Sequence, residues 1–132
     1  MIRRSKDLCA DAAAVGAGCA LGGVARFASY EAFASMNVRA RPWTTLGVNV
    51  AGSFLLGAMA ASTSAALTPR RRLLFGSGFC GGFTTMSTFS VEFAQMVQAS
   101  EAVRATAYFT LTNVGSVGAA VSGMHFAKRF IK

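Results

Sequence analysis

Four long apolar stretches dominate this sequence, and charged residues fall almost entirely between them. No Asp, Glu, Lys or Arg occurs in residues 12–25, 42–69, 73–91 or 105–127. A helix needs about 20 residues to cross the hydrocarbon core of a bilayer. The pattern therefore predicts a single all-α membrane domain over residues 1–132, with four spans at approximately 10–34, 44–67, 73–99 and 103–127.

The composition supports the same fold class. Hydrophobic residues make up 53% of the 132 residues and charged residues 14%, whereas soluble domains contain about 25% charged residues. Disorder, a nucleic-acid-binding module and most soluble enzymes are thereby excluded. The first stretch could instead be a cleaved signal peptide, because basic residues precede its apolar part. Its continuation past Arg26 to Tyr30 favours a span.

Basic residues are distributed unevenly between the two sides of the predicted bundle. Three lie in the loops on one side (Arg39, Arg41, Arg104), and nine lie on the side of the chain termini (Arg3, Arg4, Lys6, Arg70, Arg71, Arg72, Lys128, Arg129, Lys132). Such flanking charge is typical of the positive-inside rule. It favours membrane lipid over nucleic acid as the partner, and it predicts a multi-pass protein of the cell (inner) membrane with cytoplasmic termini.

Small residues recur along the predicted spans. Glycines repeat in the second and fourth spans (Gly47, Gly52, Gly57, Gly115, Gly118, Gly123). Because small residues let transmembrane backbones approach closely, we expect these two helices to pack tightly against their neighbours. The segment Gly16–Gly22 superficially resembles a dinucleotide-binding fingerprint, but its third glycine is one residue late and no strand precedes it. We interpret it as packing.

The third stretch contains the densest set of polar and small residues, from Gly76 to Glu92. The pair Gly81-Gly82 followed by Thr84-Thr85 is unfavourable for a continuous helix, since each glycine costs about 1 kcal/mol relative to alanine. We expect this helix to be broken near its middle, which is tolerated where the freed backbone groups line a cavity or an ion site. A glycine-lined packing groove is the alternative that composition leaves open.

Other polar side chains lie within the spans. Asn49 is the one strongly polar residue of the second span, and an amide is costly in lipid unless it is paired. Tyr108, Thr112, Ser116 and Ser122 follow one another at spacings near one or two helical turns in the fourth span. They form either a polar stripe or hydroxyls that are bonded to their own backbone.

Arg26 needs a carboxylate, carbonyl oxygens or a route to the interface for its charge. Glu92 is the only deep carboxylate. No nucleophile–base pair, paired carboxylates or metal-ligand spacing occurs in the spans. We therefore do not expect an enzyme.

Three segments resemble, in order, the motifs of the Fluc fluoride channels (the CrcB family). They are GGVARF at 22–27, TLGVNVAGSF at 45–54 and GFCGGFTTMSTFSVE at 78–92. Together with the four-span layout, the resemblance covers nearly the whole chain. It implies a channel that passively exports fluoride, built as an antiparallel (dual-topology) dimer with a structural sodium ion at its centre.

The resemblance also implies roles for individual residues. Backbone carbonyls of Gly81 and Thr84 would hold the sodium ion. The fluoride pathway would be formed by nine residues (Arg26, Asn49, Met86, Ser87, Thr88, Phe89, Glu92, Tyr108, Thr112). Amide and hydroxyl donors replace the water around fluoride, and a phenyl ring offers its positive edge.

Two features depart from the family pattern. Met86 stands where the family usually has phenylalanine, one turn before Phe89 and on the same expected helix face. We expect its soft, adaptable side chain to suffice. The charge bias is also unusual for a chain that inserts in both orientations. Either assembly overrides the bias, or the chain pairs with an oppositely biased homologue.

Two other functions compete with a fluoride channel. A small proton-coupled multidrug-type exporter also has four spans, but it would need a carboxylate in the middle of the first span, where the sequence has none. A non-transporting membrane scaffold would need only the small-residue packing.

Overall fold

The computed structural model describes residues 5–35, 41–64 and 67–131, and within these ranges the chain is helical without strands. Arg3, Arg4, Arg39, Lys132 and residues 37–40 of the loop predicted at 37–42 lie outside the described residues. The loop prediction is wrong for Arg41 and Pro42, which begin α2. The elements are α1 (Ser5–Ala34), α2 (Arg41–Ala61), α3 (Pro69–Arg72), a π-helical segment π1 (Leu73–Cys80), α4 (Gly81–Phe83), α5 (Met86–Gln98) and α6 (Ala102–Phe130).

Two of these helices, Lys6–Ala34 and Arg41–Ala61, are apolar and long enough to cross a bilayer by length and composition. Of the most apolar 18-residue stretch of α1, only 11% is buried within the protein. The core helix of a soluble protein would be mostly buried, so this apolar surface needs another cover. Gly18 and Gly22 of α1 pack on the backbone of π1 and α4, which makes α1 part of the fold and argues against a signal peptide.

Helix α2 ends at Ala61 rather than at the predicted limit of 67. The Arg72 guanidinium accounts for the earlier end, because it donates to the carbonyl oxygens of Met59 and Ser62 at 2.6 Å each and to that of Leu67 at 3.1 Å. Carbonyls at a helix C-terminus lack intrahelical partners, and a cation there also interacts favourably with the helix dipole.

Contacts between the helices define their directions. The Tyr30 hydroxyl near the end of α1 meets Thr45 near the start of α2, so these helices are antiparallel. Helices α2 and α6 run parallel, since Val50 contacts Gly115 and Gly57 contacts Ala120. Both described chain ends consequently lie at the same end of the bundle. The basic residues Lys6, Arg70, Arg71, Arg72, Lys128 and Arg129 share this end, as the charge pattern predicts.

Close backbone contact joins α2 to α6. A Cβ atom added at Gly57 would collide with the backbone of Ala120, and one added at Gly123 would collide with that of Phe54. These contacts confirm the predicted packing of the two helices, although an added Cβ at Gly47 or Gly118 would find no atom within 4 Å. These two glycines have the same spacing as the others, but they point to the outside of the described bundle.

A compact core forms where α5 and α6 meet. Phe89, Met96, Ala105 and Tyr108 are buried together, with Leu46 and Phe93 packed against them (Leu46 from α2). The turn between the two helices contains Ser100 in the left-handed region at φ 59°. Glu101 then pairs with Arg104 of α6 at 2.7 Å. The turn therefore lies between the predicted third and fourth spans.

Candidate functional site

The chain between α4 and α5 is extended at two consecutive residues. Thr84 has φ −77° and ψ 159°, and Thr85 has φ −151° and ψ 115°. Extended residues cannot continue the intrahelical ladder. The backbone groups around Thr85 therefore need partners from elsewhere in the molecule.

Asn49 of α2 supplies both partners of the Thr85 backbone. The Thr85 N–H donates to Asn49 Oδ1 at 2.7 Å, and Asn49 Nδ2 donates to the Thr85 carbonyl at 3.1 Å. All four atoms belong to buried residues. An amide side chain has two N–H donors, so one Asn49 N–H remains beyond this bridge. We call the paired contact the Asn49–Thr85 bridge.

The side chain of Thr85 begins α5. Its Oγ1 accepts from the Thr88 backbone N–H at 3.2 Å, which is an ordinary N-terminal cap. The same hydroxyl meets Thr88 Oγ1 at 3.0 Å and Ser87 Oγ at 3.2 Å. Ser87 and Thr88 thus form a hydroxyl cluster at the start of α5.

An open groove of about 420 Å³ lies beside the bridge. Its walls come from α2, from the segment π1 to α5, and from α6. The residues that matter most for its chemistry are Asn49, Gly81, Thr85, Met86, Thr112 and Ser116. We call it the central groove.

Two hydroxyls of α6 in the central groove have no hydrogen-bond partner among the described residues. They are Thr112 Oγ1 and Ser116 Oγ, and both atoms are buried. Thr112 is only 5% exposed, so it cannot turn to solvent. Buried polar atoms are almost always paired. Both hydroxyls are therefore free to donate to a ligand or water in the groove.

Two further residues singled out from the sequence, Arg26 and Gly81, lie near the helix interruption at Thr84 and Thr85. Arg26 Nη1 donates to the Thr84 carbonyl at 3.0 Å. The sequence left three possibilities for the charge of Arg26, and in the structure its partner is a carbonyl oxygen. No hydrogen bond to the Gly81 carbonyl occurs in the described ranges, since Thr85, four residues on, donates to Asn49 instead.

Glu92 lies in a second polar region, between α5 and α6. The Tyr108 hydroxyl donates to Glu92 Oε2 at 2.7 Å. Glu92 Oε1 is buried and has no partner in the described part of the chain. A groove of about 370 Å³ opens beside Glu92 and carries Arg41, Gln95 and Arg104 on its walls. We call it the end groove.

Thr45 and Tyr30 extend this polar region to α1. The hydroxyls of Tyr30 and Thr45 are 2.6 Å apart, and the Thr45 hydroxyl donates to the Arg41 carbonyl at 3.2 Å. Thr45 and Tyr108 are 0% and 1% exposed. The contact between Tyr30 and Thr45 therefore links α1 to the start of α2.

Met86 and Phe89 do not share one environment, although they are one turn apart. Met86 is 67% exposed, and it lines the central groove. Phe89 is 3% exposed and packs on Tyr108 with ring centroids 5.2 Å apart. Side chains at positions i and i+3 point in directions about 60° apart around a helix. This difference is enough to direct Met86 into the groove and Phe89 into the core.

The residues singled out from the sequence thus fall into two groups. The first surrounds the central groove and the interruption (Arg26, Asn49, Gly81, Thr84, Met86, Ser87, Thr88, Thr112), and the second lies between α5 and α6 (Phe89, Glu92, Tyr108). Sequence reasoning did not assign roles to Thr85, Thr45 or Tyr30. Thr85 stands beside Thr84, which could have drawn attention to it, whereas Tyr30 carries no signal of its contact with Thr45.

The family model described as CrcB-like protein, Camphor Resistance (CrcB), matches residues 13–124. A relative from Leptospira interrogans is 37% identical over 115 residues, covering 86% of this chain and 91% of the relative. A relative from Nitrobacter winogradskyi is 38% identical over 117 residues, covering 87% and 93%. A third, from Mycolicibacterium paratuberculosis, is 39% identical over 122 residues, covering 91% and 89%.

The first two relatives are named fluoride-specific ion channel FluC, and the third is named fluoride-specific ion channel FluC 1. The matches span the interruption, the central groove and the end groove. On the extent of these matches, this chain is a membrane protein that belongs to the CrcB family.

Proposed function

We propose that this chain is a subunit of a fluoride-selective channel. Through this channel the cell passively exports fluoride and thereby resists fluoride toxicity. The observation that carries the proposal is the unpaired, buried hydroxyl of Thr112 on the wall of the central groove, beside Ser116 and Asn49. Fluoride is small and strongly hydrated, so a pore must replace its water with donors. Hydroxyl and amide groups without other partners are suited to this role. Conduction needs no chemical step, and the chain is not an enzyme.

The proposal includes four membrane spans. Helix α6 has 29 residues, which corresponds to about 43 Å at 1.5 Å per residue. The segment from Pro69 to Gln98 would be the third span, interrupted at Thr84 and Thr85. Non-helical backbone is tolerated at membrane depth where it lines a cavity, and the central groove adjoins this interruption.

A second subunit would complete the pathway. The central groove is open on one side, where Gly81 and Met86 are exposed. Lipid cannot satisfy polar groups at this depth, so protein must cover them. We propose an antiparallel partner, which would be the same chain or a homologous one. Conduction by the purified chain alone would favour the first, and conduction only with the co-expressed homologue would favour the second.

The residues at the interruption are compatible with a sodium ion. The Gly81 carbonyl has no hydrogen bond within the described ranges, and an added Cβ at Gly81 would meet no atom within 4 Å. Carbonyls at a helix C-terminus carry partial negative charge and suit hard cations. The Thr84 carbonyl accepts from Arg26, yet a carbonyl oxygen has a second lone pair. A bound cation would offset part of the cost of an anion in a low dielectric.

Two observations weigh against the alternatives. The carboxylate of α1 that lies within the bundle, Asp11, is near the helix end and pairs with Arg70 at 3.5 Å, which is unlike the mid-span carboxylate of a proton-coupled exporter. A scaffold has no use for unpaired buried hydroxyls, because each costs about 1–3 kcal/mol of desolvation.

Efflux from liposomes tests the proposal. Purified protein is reconstituted into liposomes loaded with fluoride or with chloride, and release is followed with ion-selective electrodes after the membrane potential is clamped. We expect rapid fluoride release and retention of chloride. A flat fluoride trace with verified incorporation would refute the channel. Replacing sodium by a large organic cation tests the ion site separately, through the thermal stability of the assembled protein in detergent.

A further inference from the structure

An apolar groove lies between α2 and π1, apart from the two polar grooves. Its volume is about 340 Å³, and its walls carry apolar side chains and one thiol, which packs like a small apolar group. The wall residues are Leu55, Met59, Leu67, Phe75, Phe79 and Cys80. Of the described residues, Cys80 alone also lies on the wall of the central groove. We call this third site the lateral groove.

The lateral groove opens to the outside of the described chain. Leu55 of α2 and Phe75 of π1, which lie on its walls, are each 44% exposed. Apolar side chains on the outside of a membrane protein meet the acyl chains of lipids. A groove contacts such a chain on several sides, and van der Waals contacts add up with the number of neighbouring atoms. An acyl chain is therefore the occupant whose chemistry matches these walls.

Three consecutive arginines precede π1, and two of them are engaged with neighbouring helices. Arg70 Nε lies 3.5 Å from Asp11 Oδ1 of α1. Arg72 donates to backbone carbonyls at the end of α2 and in the loop after it. These contacts hold the arginine segment between α1 and α2. Arg71 lies between the two in sequence, and it is exposed.

Arg71 shares a helix face with one wall of the lateral groove. Residues four apart lie on the same face of a helix, so Arg71, Phe75 and Phe79 follow one another along this face. Leu67 from the loop before α3 is also on the wall, so the groove extends to the end of the bundle at which Arg71 lies. An exposed guanidinium thus stands at the mouth of an apolar groove.

We propose that the lateral groove and Arg71 form a binding site for a phospholipid with an anionic headgroup. One acyl chain lies between α2 and π1, and Arg71 donates to the phosphate. A guanidinium has five N–H donors and binds phosphate oxygens in pairs, so another contact of this side chain leaves donors for the lipid. Basic residues near the membrane surface attract anionic lipids, and further ones share this end of the bundle (Lys6, Lys128, Arg129).

Lipid binding to the purified full-length protein tests the headgroup contact. Native mass spectrometry counts bound dioleoylphosphatidylglycerol, and dioleoylphosphatidylcholine with the same acyl chains is the comparison. We expect the anionic lipid to bind more tightly. Arg71→Gln should weaken its binding about fivefold, the effect of one basic residue near an anionic headgroup. Arg129→Gln makes the same change at the same end, on α6, which contributes no described residue to the lateral groove, and should leave the affinity unchanged.

A second pair of variants tests the groove itself. Leu55→Trp fills the lateral groove with a larger side chain, and we expect phosphatidylglycerol binding to fall at least fivefold. Leu21→Trp places the same ring on the exposed side of α1, and binding should stay at the wild-type level. Added inorganic phosphate should not displace the lipid, because it cannot fill the groove. Equal affinity for the two lipids, equal losses in Arg71→Gln and Arg129→Gln, displacement by phosphate, or unchanged binding in Leu55→Trp would each overturn the inference. None of these measurements depends on fluoride flux.

Discussion

Replacing Asn49 by aspartate tests the part of the site that the structure describes most fully. In the wild type, Asn49 donates to the Thr85 carbonyl and accepts from the Thr85 N–H. A carboxylate can accept but not donate, so Asn49→Asp keeps one bond and leaves the buried Thr85 carbonyl unpaired. An unpaired buried group costs about 1–3 kcal/mol. The new charge adds repulsion of about 3 kcal/mol for an anion about 5 Å away at an effective dielectric constant of about 20.

The repulsion alone corresponds to a loss of about 100-fold in fluoride flux. Two variants separate the contributions in the same liposome efflux assay. Asn49→Ala removes the bridge without adding charge. Asn113→Asp adds a charge to the central groove without touching the bridge, since the Asn113 amide donates to Phe109 of its own helix. We expect Asn49→Asp to be the slowest of the three. Wild-type flux in Asn49→Asp would refute the placement of Asn49 beside the pathway.

Three further substitutions test the groove, the packing and the departure from the family pattern. Thr112→Val should lower fluoride efflux about tenfold, the value of a hydrogen bond to an ion, without lowering thermal stability. The control Thr110→Val, on the exposed face of the same helix, should change neither efflux nor stability. Equal efflux in the two variants would contradict the role of the groove. Gly57→Ala and Gly123→Ala should each destabilise the protein by about 1–3 kcal/mol through overpacking, whereas Gly118→Ala should not. Thermal unfolding measures this difference, and equal melting temperatures for the three variants would contradict the α2–α6 contact. Met86→Phe should keep efflux near the wild-type rate, because the soft, adaptable methionine side chain is expected to suffice at this place in the groove. A strong gain in efflux would show that methionine does not suffice.

Much of the site could be located from residue types that are costly inside a membrane. Asn49, Arg26 and Glu92 stand out because each needs a partner there, and the structure gives each of them one. The glycine and threonine pairs drew attention to residues 81–85, which include the two extended residues of the structure. These signals are local, so a single sequence contains them.

The partners themselves could not be predicted in the same way. Asn49 pairs with Thr85, which is 36 residues away, and only the packing of α2 against the interruption brings the two together. Gly57 and Gly118 recur with similar spacing, yet only Gly57 meets another backbone. The end of α2 depends on Arg72, which follows it by a loop. Such outcomes depend on which helices become neighbours.

A high-resolution structure of the assembled protein in a lipid environment with fluoride present tests the central claim most directly. We expect continuous non-protein density along the central groove, within hydrogen-bonding distance of Asn49, Thr112 and Ser116, with a second subunit covering the open side. A groove closed by the protein's own side chains or filled by lipid chains, with no such density, would contradict the account.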